Sequence, residues 1–221
     1  MRLTCSSPRE SSAFCRQRDA KVLWLLGQHP MTAAMLAGLG LFPNRRKALK
    51  RLSRLRRRGR LRLVGTVSRR SGRPEYVFAC HRVKADQLLH EVELSDLCLR
   101  IDAAEIRRGP HVIDRRLRPD AELVINDRVY KLELDRGTMS YAQIDRRFRL
   151  YEGSNDFVLW VCRTPERADA LRRRAGRVRG IALFTTFDAA AASPHADIWL
   201  DHGGGRARLP RQSRTMPSRS E

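Results

Sequence analysis

The residues of this sequence best suited to chemistry are acids on either side of a short turn in its second half. Asp120 opens one apolar run, and Lys131, Glu133 and Asp135 alternate along the next. Because alternate residues of a strand point to one side of a sheet, the latter three are expected to share a face. A hairpin turn at residues 126–127 would then bring Asp120 near Glu133 or Asp135.

Carboxylates that converge in this way are suited to a hard divalent cation such as Mg²⁺ or Mn²⁺, which prefers oxygen ligands. With Asp120 and Glu133 as ligands, the cation would activate water and stabilise charge on a scissile phosphate. The acids can equally form a structural network with nearby arginines, and the residues leave both interpretations open. Those arginines are Arg115, Arg116, Arg118 and Arg136.

A second feature is an excess of positive over negative charge that is concentrated in one part of the chain. The formal net charge is +21. Residues 1–85 contain 21 lysines and arginines against three acids, whereas residues 86–221 contain 24 against 21. A compact polycation is typical of a protein that binds nucleic acid, since a solubilising surface usually mixes both signs.

Three helices and a β-hairpin are predicted to position this charge. The helices are predicted over residues 18–28, 32–40 and 45–60, with Asp19, Thr32 and Asn44 as caps, and the strands over 61–67 and 75–79. In the basic third helix, Ala48, Leu49, Leu52 and Leu55 form one apolar stripe. This order is typical of a winged helix, whose third helix enters the major groove while the hairpin tip contacts the backbone or minor groove.

The nucleic-acid contacts are therefore expected on the third helix and at the hairpin tip. Most of them should bind phosphates, and one or two near the start of the helix could read guanine edges. Duplex DNA is the expected partner, with RNA and a merely solvated helix as alternatives. The candidates are Arg45, Arg46, Lys47, Lys50, Arg51, Arg54, Arg69, Arg70 and Arg73.

The second half is predicted to be a three-layer α/β domain with a mixed sheet, in the element order α, β, β, α, β, α, β. The unbroken apolar run at 157–161 is expected at the sheet centre. Trp24, Trp160 and Trp199 are expected in cores. The predicted organisation is a disordered leader at 1–15, a DNA-binding domain at 16–84, the α/β domain at 85–201 and a disordered basic tail at 202–221.

The motif Arg118-Pro119-Asp120, followed by LELDRGT at 132–138 and FVLWVCRTPERADALRR at 157–173, resembles the replication-relaxation proteins of plasmids and other mobile elements. The resemblance spans roughly residues 15–200. That family is similar in turn to the PD-(D/E)xK nuclease superfamily. The resemblance implies a bacterial cytoplasmic protein, associated with plasmid DNA, that acts with replication or mobilisation proteins.

Within that resemblance, Asp120 matches the aspartate of the PD motif and Glu133 the glutamate of ExK. Asp135 stands where the superfamily has a lysine that orients the attacking water, a task that a carboxylate does not perform. Lys131, Arg146 or Arg147 could substitute, Gln143 matches a glutamine of related nucleases, and Glu91, Glu93 and Asp96 are alternatives for a first-helix acid. The domain is therefore either a divergent metal-dependent endonuclease or nickase, or a catalytically silent fold retained for binding.

Two further classes of protein are disfavoured. Five cysteines without a CxxC motif indicate free thiols in a reducing cytoplasm rather than a disulfide scaffold. No apolar run approaches the ~20 residues of a membrane span. No oligomeric state is predicted.

Overall fold

The computed structural model describes residues 8–68, 73–114, 116–152, 155–176 and 181–212. It divides into two compact units, residues 1–95 and 96–221. The division lies C-terminal to the predicted boundary at residues 84 and 85, within a helix rather than in a linker.

In its described part, the first unit has three helices that lie wholly within it and a three-stranded antiparallel sheet. Its elements are α1 Pro8–Gln28, β1 Met31–Thr32, α2 Ala33–Gly38, α3 Arg45–Arg57, β2 Arg62–Val67 and β3 Glu75–Ala79. The strand order is β1-β3-β2, so β3 lies in the centre.

The predicted caps of α2 and α3 are confirmed. The side chain of Asn44 accepts a hydrogen bond from the backbone N–H of Lys47 at 2.9 Å, and Thr32 accepts one from Met35 in the same way. These bonds satisfy N–H groups that have no partner within the helix. The predicted apolar stripe of α3 is buried at Ala48, Leu52 and Leu55 but only half-buried at Leu49.

The first helix begins earlier than predicted. Because α1 starts at Pro8, residues 8–15 are helical, and the predicted disordered leader is wrong for them. A proline suits the first turn of a helix, where its missing N–H costs nothing. Asp19 lies inside α1 and does not cap it. Trp24 is 64% exposed, which contradicts its predicted core position, because the buried Val22 and Leu26 lie on the opposite side of the helix.

The second unit has a mixed seven-stranded sheet in the order β10-β9-β8-β7-β6-β5-β4. The neighbouring pairs β6–β7 and β7–β8 are parallel, and the other neighbouring pairs of the described sheet are antiparallel. Helix α4 Leu88–Ile101 spans the division between the units. The elements that follow it are β4 Glu105–Arg107, β5 Ala121–Ile125, β6 Arg128–Asp135, α5 Tyr141–Tyr151, β7 Phe157–Cys162, α6 Pro165–Arg174, β8 Ile181–Thr186, α7 Phe187–Ala192, β9 Trp199–Leu200 and β10 Arg206–Ala207. An α+β structure with a mixed sheet is confirmed.

Local signals explain most of this unit. Asn126 and Asp127 have φ angles of 48° and 62°, and Ile125 pairs with Arg128, so the predicted hairpin turn is confirmed. The run at 157–161 forms most of β7, the middle strand of the sheet. Its face with Val158 and Trp160 packs against α5 and α6 in one apolar cluster.

The C-terminal end of the described chain is more ordered than predicted. Residues 202–212 were expected in a disordered tail, but they include β10, and Leu209 is 2% exposed. The amide of Asn126 donates to the carbonyl of Arg211 at 3.0 Å, and its backbone N–H donates to Gln212 at 3.0 Å. The Gly- and Arg-rich composition concealed this segment, whose order depends on pairing with β9 and with the hairpin.

Candidate functional site

The outer face of α3 carries the candidate nucleic-acid interface. Four of the basic residues of α3 that were predicted as contacts are exposed and form no ion pair with the part of the chain that the structure describes. These residues, called the α3 cations below, are Arg46, Lys47, Lys50 and Arg54. They lie on the side away from the buried stripe, so their charges face solvent.

Two predicted contacts on α3 are engaged within the unit. Arg51 donates to Asp19 of α1 through Nε at 2.8 Å and also through Nη2. These hydrogen bonds raise the pKa of Arg51 above its ordinary value. Arg45 lies 3.4 Å from the carboxylate of Glu75 in β3, with its side chain about half exposed. Arg51 is therefore a bridge between two helices rather than an available phosphate contact.

The basic surface continues beyond the predicted residues. The end of α3 and the start of β2 present exposed cations that were not selected as candidates, namely Arg56, Arg57, Arg58, Arg60 and Arg62. The eleven basic residues between positions 45 and 62 were the feature of the sequence that could have identified these five as candidates. At the hairpin tip Arg73 is exposed, whereas Arg69 and Arg70 lie outside the described residues.

In the second unit the predicted acids share a face with a buried cation. Glu122 of β5 pairs in register with Lys131 of β6, and Glu133 and Asp135 follow on the same face of β6. The side chains of these four residues, called the polar row, are all buried. Helices α5 and α6 lie on this face and cover it.

Glu133 is held by residues of α5. Arg147 donates to its Oε1 through Nε at 3.0 Å and Nη2 at 2.6 Å, and the Tyr151 hydroxyl donates to the same atom at 2.5 Å. Burial, together with the nearby carboxylate of Asp120, raises the pKa of Glu133 to about 8 despite the opposing effects of Arg147 and Tyr151. Its environment thus favours the protonated form of Glu133 more than water does.

Asp120 lies beside Glu133, one position beyond the pairing of Ala121 with Leu132. Its Oδ2 accepts a hydrogen bond from the backbone N–H of Leu134 at 2.8 Å. The hairpin thus brings together the two acids that the PD and ExK comparison selected. Asp135 is engaged elsewhere.

Asp135 binds Arg167 of α6. The guanidinium Nε lies 2.6 Å from Oδ2, while Oδ1 accepts the backbone N–H of Gly137 at 3.0 Å. Arg167 also stacks over Tyr141, with its Cζ 4.6 Å from the ring centroid. Burial and the Asp135 charge raise the pKa of the adjacent Cys162 thiol to about 12, which keeps it protonated and unreactive.

Lys131, one candidate substitute for the missing lysine, is bound to Glu122 at 2.5 Å. Glu122 also accepts backbone N–H groups from Ile113 at 2.9 Å and Asp114 at 3.2 Å. Burial opposes its ionisation, but these hydrogen bonds lower its pKa overall. Sequence reasoning missed Glu122 because it reads as an ordinary residue of an apolar strand. The cation that reaches Glu133 is Arg147.

Gln143 has a structural role at the start of α5. Its Oε1 accepts the backbone N–H of Ser140 at 2.7 Å, and its own N–H donates to the Ser140 hydroxyl at 3.3 Å. This reciprocal pair is a capping box, which the S-x-x-Q spacing could have predicted. Gln143, which was predicted as a catalytic residue, thus caps the start of α5 in this structure.

The polar row does not fit a divalent cation. Among the described residues, no group of three or more His, Cys, Asp or Glu side chains is arranged to hold a metal ion. One oxygen of Glu133 is covered by Arg147 and Tyr151, and one oxygen of Asp135 is bound to Arg167. The positive charge that a metal would supply is already supplied by guanidinium groups.

Comparison of the chain with models of known protein families, with curated proteins and with solved structures found no significant match. None of the described helices is both long and apolar enough to span a membrane. Among the described residues, Cys15, Cys80, Cys98 and Cys162 are not joined in disulfide bonds.

Proposed function

We propose that the chain binds duplex DNA, with the first unit acting as a winged helix that presents the α3 cations to the major groove. The observation that carries this proposal is a helix with one buried apolar face and an opposite face whose cations have no acidic partner among the described residues. A groove lined with phosphates supplies the missing negative charge. The hairpin between β2 and β3 follows α3 at the position expected of a wing.

We further propose that the second unit is a PD-(D/E)xK-like domain that is catalytically silent. The support is Arg147, which binds Glu133 where an active site would need a free carboxylate. The resemblance described under Sequence analysis then favours an accessory role in replication, relaxation or mobilisation of plasmid DNA in a bacterial cytoplasm, in company with other proteins of those processes.

A metal-dependent endonuclease is the second candidate, and the proximity of Asp120 to Glu133 is the observation that favours it. It would require Arg147 to leave Glu133 and the carboxyl proton to be lost. Both requirements oppose activity at neutral pH, so the silent domain is the better supported of the two.

Binding is tested by fluorescence anisotropy with a labelled 20-base-pair duplex at several salt concentrations. We expect Lys47→Ala combined with Lys50→Ala to weaken binding strongly, and Arg149→Ala, an exposed arginine on α5, to leave it unchanged. If the Lys47→Ala, Lys50→Ala variant and the Arg149→Ala variant weaken DNA binding equally, α3 is not part of the interface. Tighter binding to an RNA duplex than to the DNA duplex would reassign the partner.

The proposed lack of nuclease activity is tested by incubating supercoiled plasmid with the protein and Mg²⁺ or Mn²⁺. We expect the plasmid to remain supercoiled. Relaxed or linear product that is lost in Asp120→Ala and in Glu133→Ala would establish the endonuclease. Product that persists in both variants would identify a contaminating nuclease, and the preparation would be repurified before the assay is repeated.

A further inference from the structure

A cavity of about 590 Å³ lies in the second unit, at the opposite end of the parallel strands from Glu133 and Asp135. The first residues of three neighbouring strands meet there, namely Arg128 of β6, Phe157 of β7 and Ile181 of β8. Its volume lies within the usual range of small-molecule sites. Neither the basic surface nor the polar row includes it.

The floor and one wall of this cavity are apolar and partly aromatic. Tyr130 and Phe157 form a tilted ring pair with centroids 5.3 Å apart, and Leu183 lies beside them. Leu209 and Pro210, in the segment that follows β10, also line the cavity. An apolar or aromatic ring is the chemical group that would displace water from such walls most favourably.

The rim of the cavity is cationic. Arg128 lies over Phe157, 5.7 Å from the ring centroid, and interacts with the Tyr130 hydroxyl. Arg211 is exposed and forms no ion pair with a residue that the structure describes. Arg208, by contrast, is bound to Asp197. Two guanidinium groups beside an apolar floor are suited to an organic anion, because arginine binds phosphate with paired hydrogen bonds.

His195 adds a further polar group to the lining of the cavity. Its Nδ1 lies 3.2 Å from the carbonyl oxygen of Leu209, so Nδ1 carries the hydrogen and donates. Nε2 is then available for a hydroxyl or ring substituent of a ligand. The cavity therefore combines a place for a ring, a place for an acidic group and one directional polar contact.

We propose that this cavity binds a phosphorylated nucleoside, with the base against the floor of Tyr130, Phe157 and Leu183 and the phosphate on Arg128 and Arg211. The ligand can be a free nucleotide or the terminal nucleotide of a strand, since both present the same chemistry. No residue of α3 lines this cavity, so the proposal of nucleotide binding does not depend on the proposal that α3 binds DNA.

The test is isothermal titration of the full chain with adenosine 5′-monophosphate, adenosine, inorganic phosphate and a short single-stranded oligonucleotide with a 5′-phosphate. We expect the monophosphate or the oligonucleotide to bind at least tenfold more tightly than adenosine or phosphate alone, because the site contacts both halves. Binding of the monophosphate identifies a free nucleotide, and binding of the oligonucleotide alone identifies a strand end.

A matched pair of variants locates the binding. Ile181 is 51% exposed at the rim, so both Ile181→Glu and Ile181→Gln should fold. The glutamate adds only a negative charge, and we expect it to weaken binding about fivefold relative to the glutamine variant. Arg211→Ala should also weaken binding, whereas Arg149→Ala should not. Equal affinities of the two Ile181 variants would overturn the proposal. So would a failure of the wild type to bind either adenosine 5′-monophosphate or the 5′-phosphorylated oligonucleotide.

Discussion

Lys50 and Arg51 are adjacent basic residues on α3 that the structure assigns to different tasks. Lys50 is exposed and has no ion-pair partner in the described ranges, whereas Arg51 bridges to Asp19. Replacing each with alanine should therefore change different quantities. We expect Lys50→Ala to alter the salt dependence of DNA binding and Arg51→Ala to alter the stability of the first unit.

The magnitude for Lys50 follows from counterion release. If all four α3 cations bind phosphates, the slope of log K against log salt is about −3.6 from these residues alone. Loss of Lys50 should reduce that slope by about 0.9 and weaken binding about fivefold at 0.15 M salt. Arg51→Ala should leave the slope unchanged.

The magnitude for Arg51 follows from its hydrogen bonds. The side chains of Arg51 and Asp19 are 21% and 15% exposed, so the substitution leaves a mostly buried carboxylate without its guanidinium. We expect the free energy of unfolding to fall by about 1–3 kcal/mol. Lys50→Ala, at an exposed helical position, should change it by less than about 0.5 kcal/mol.

The two substitutions are compared by anisotropy titrations between 0.05 and 0.2 M NaCl and by urea unfolding. Equal reductions in the slope for both variants would mean that Arg51 also contacts phosphate when DNA is bound. An unchanged urea midpoint for Arg51→Ala would refute the bridging role.

Three further predictions concern pH, backbone and fluorescence. The pKa of Glu133, about 8 in the folded chain, lies above its unfolded value, so the stability that Glu133 contributes is fully present below about pH 4 and is lost as the pH rises through about 8. Urea unfolding should show that the free energy of unfolding declines over this range in the wild type and declines less in Glu133→Gln. Gly65→Ala should destabilise the first unit by about 1–3 kcal/mol, since Gly65 has φ +154° and an added Cβ would lie 2.5 Å from Leu88 Cδ2; an unchanged melting temperature would contradict this. Trp24→Phe should remove the fluorescence component that acrylamide quenches readily, because Trp24 is exposed while Trp160 and Trp199 are buried.

Short-range patterns were sufficient for much of the fold. The caps at Thr32 and Asn44, the 126–127 turn and the buried strand at 157–161 depend on interactions within a few residues. Such interactions leave a direct mark on residue type and spacing. The concentration of net positive charge in residues 1–85 is likewise a property of composition.

The partners of individual charges required the tertiary structure. Arg51 meets Asp19, Lys131 meets Glu122, and Glu133 meets both Arg147 and Tyr151 only because separate elements pack together. Period-2 alternation places the polar row on one face of β6, but it is the docking of α5 and α6 that buries that face. A charge pairs with whatever opposite charge folding brings within a few ångströms, and in this chain those partners lie 9 to 32 positions away.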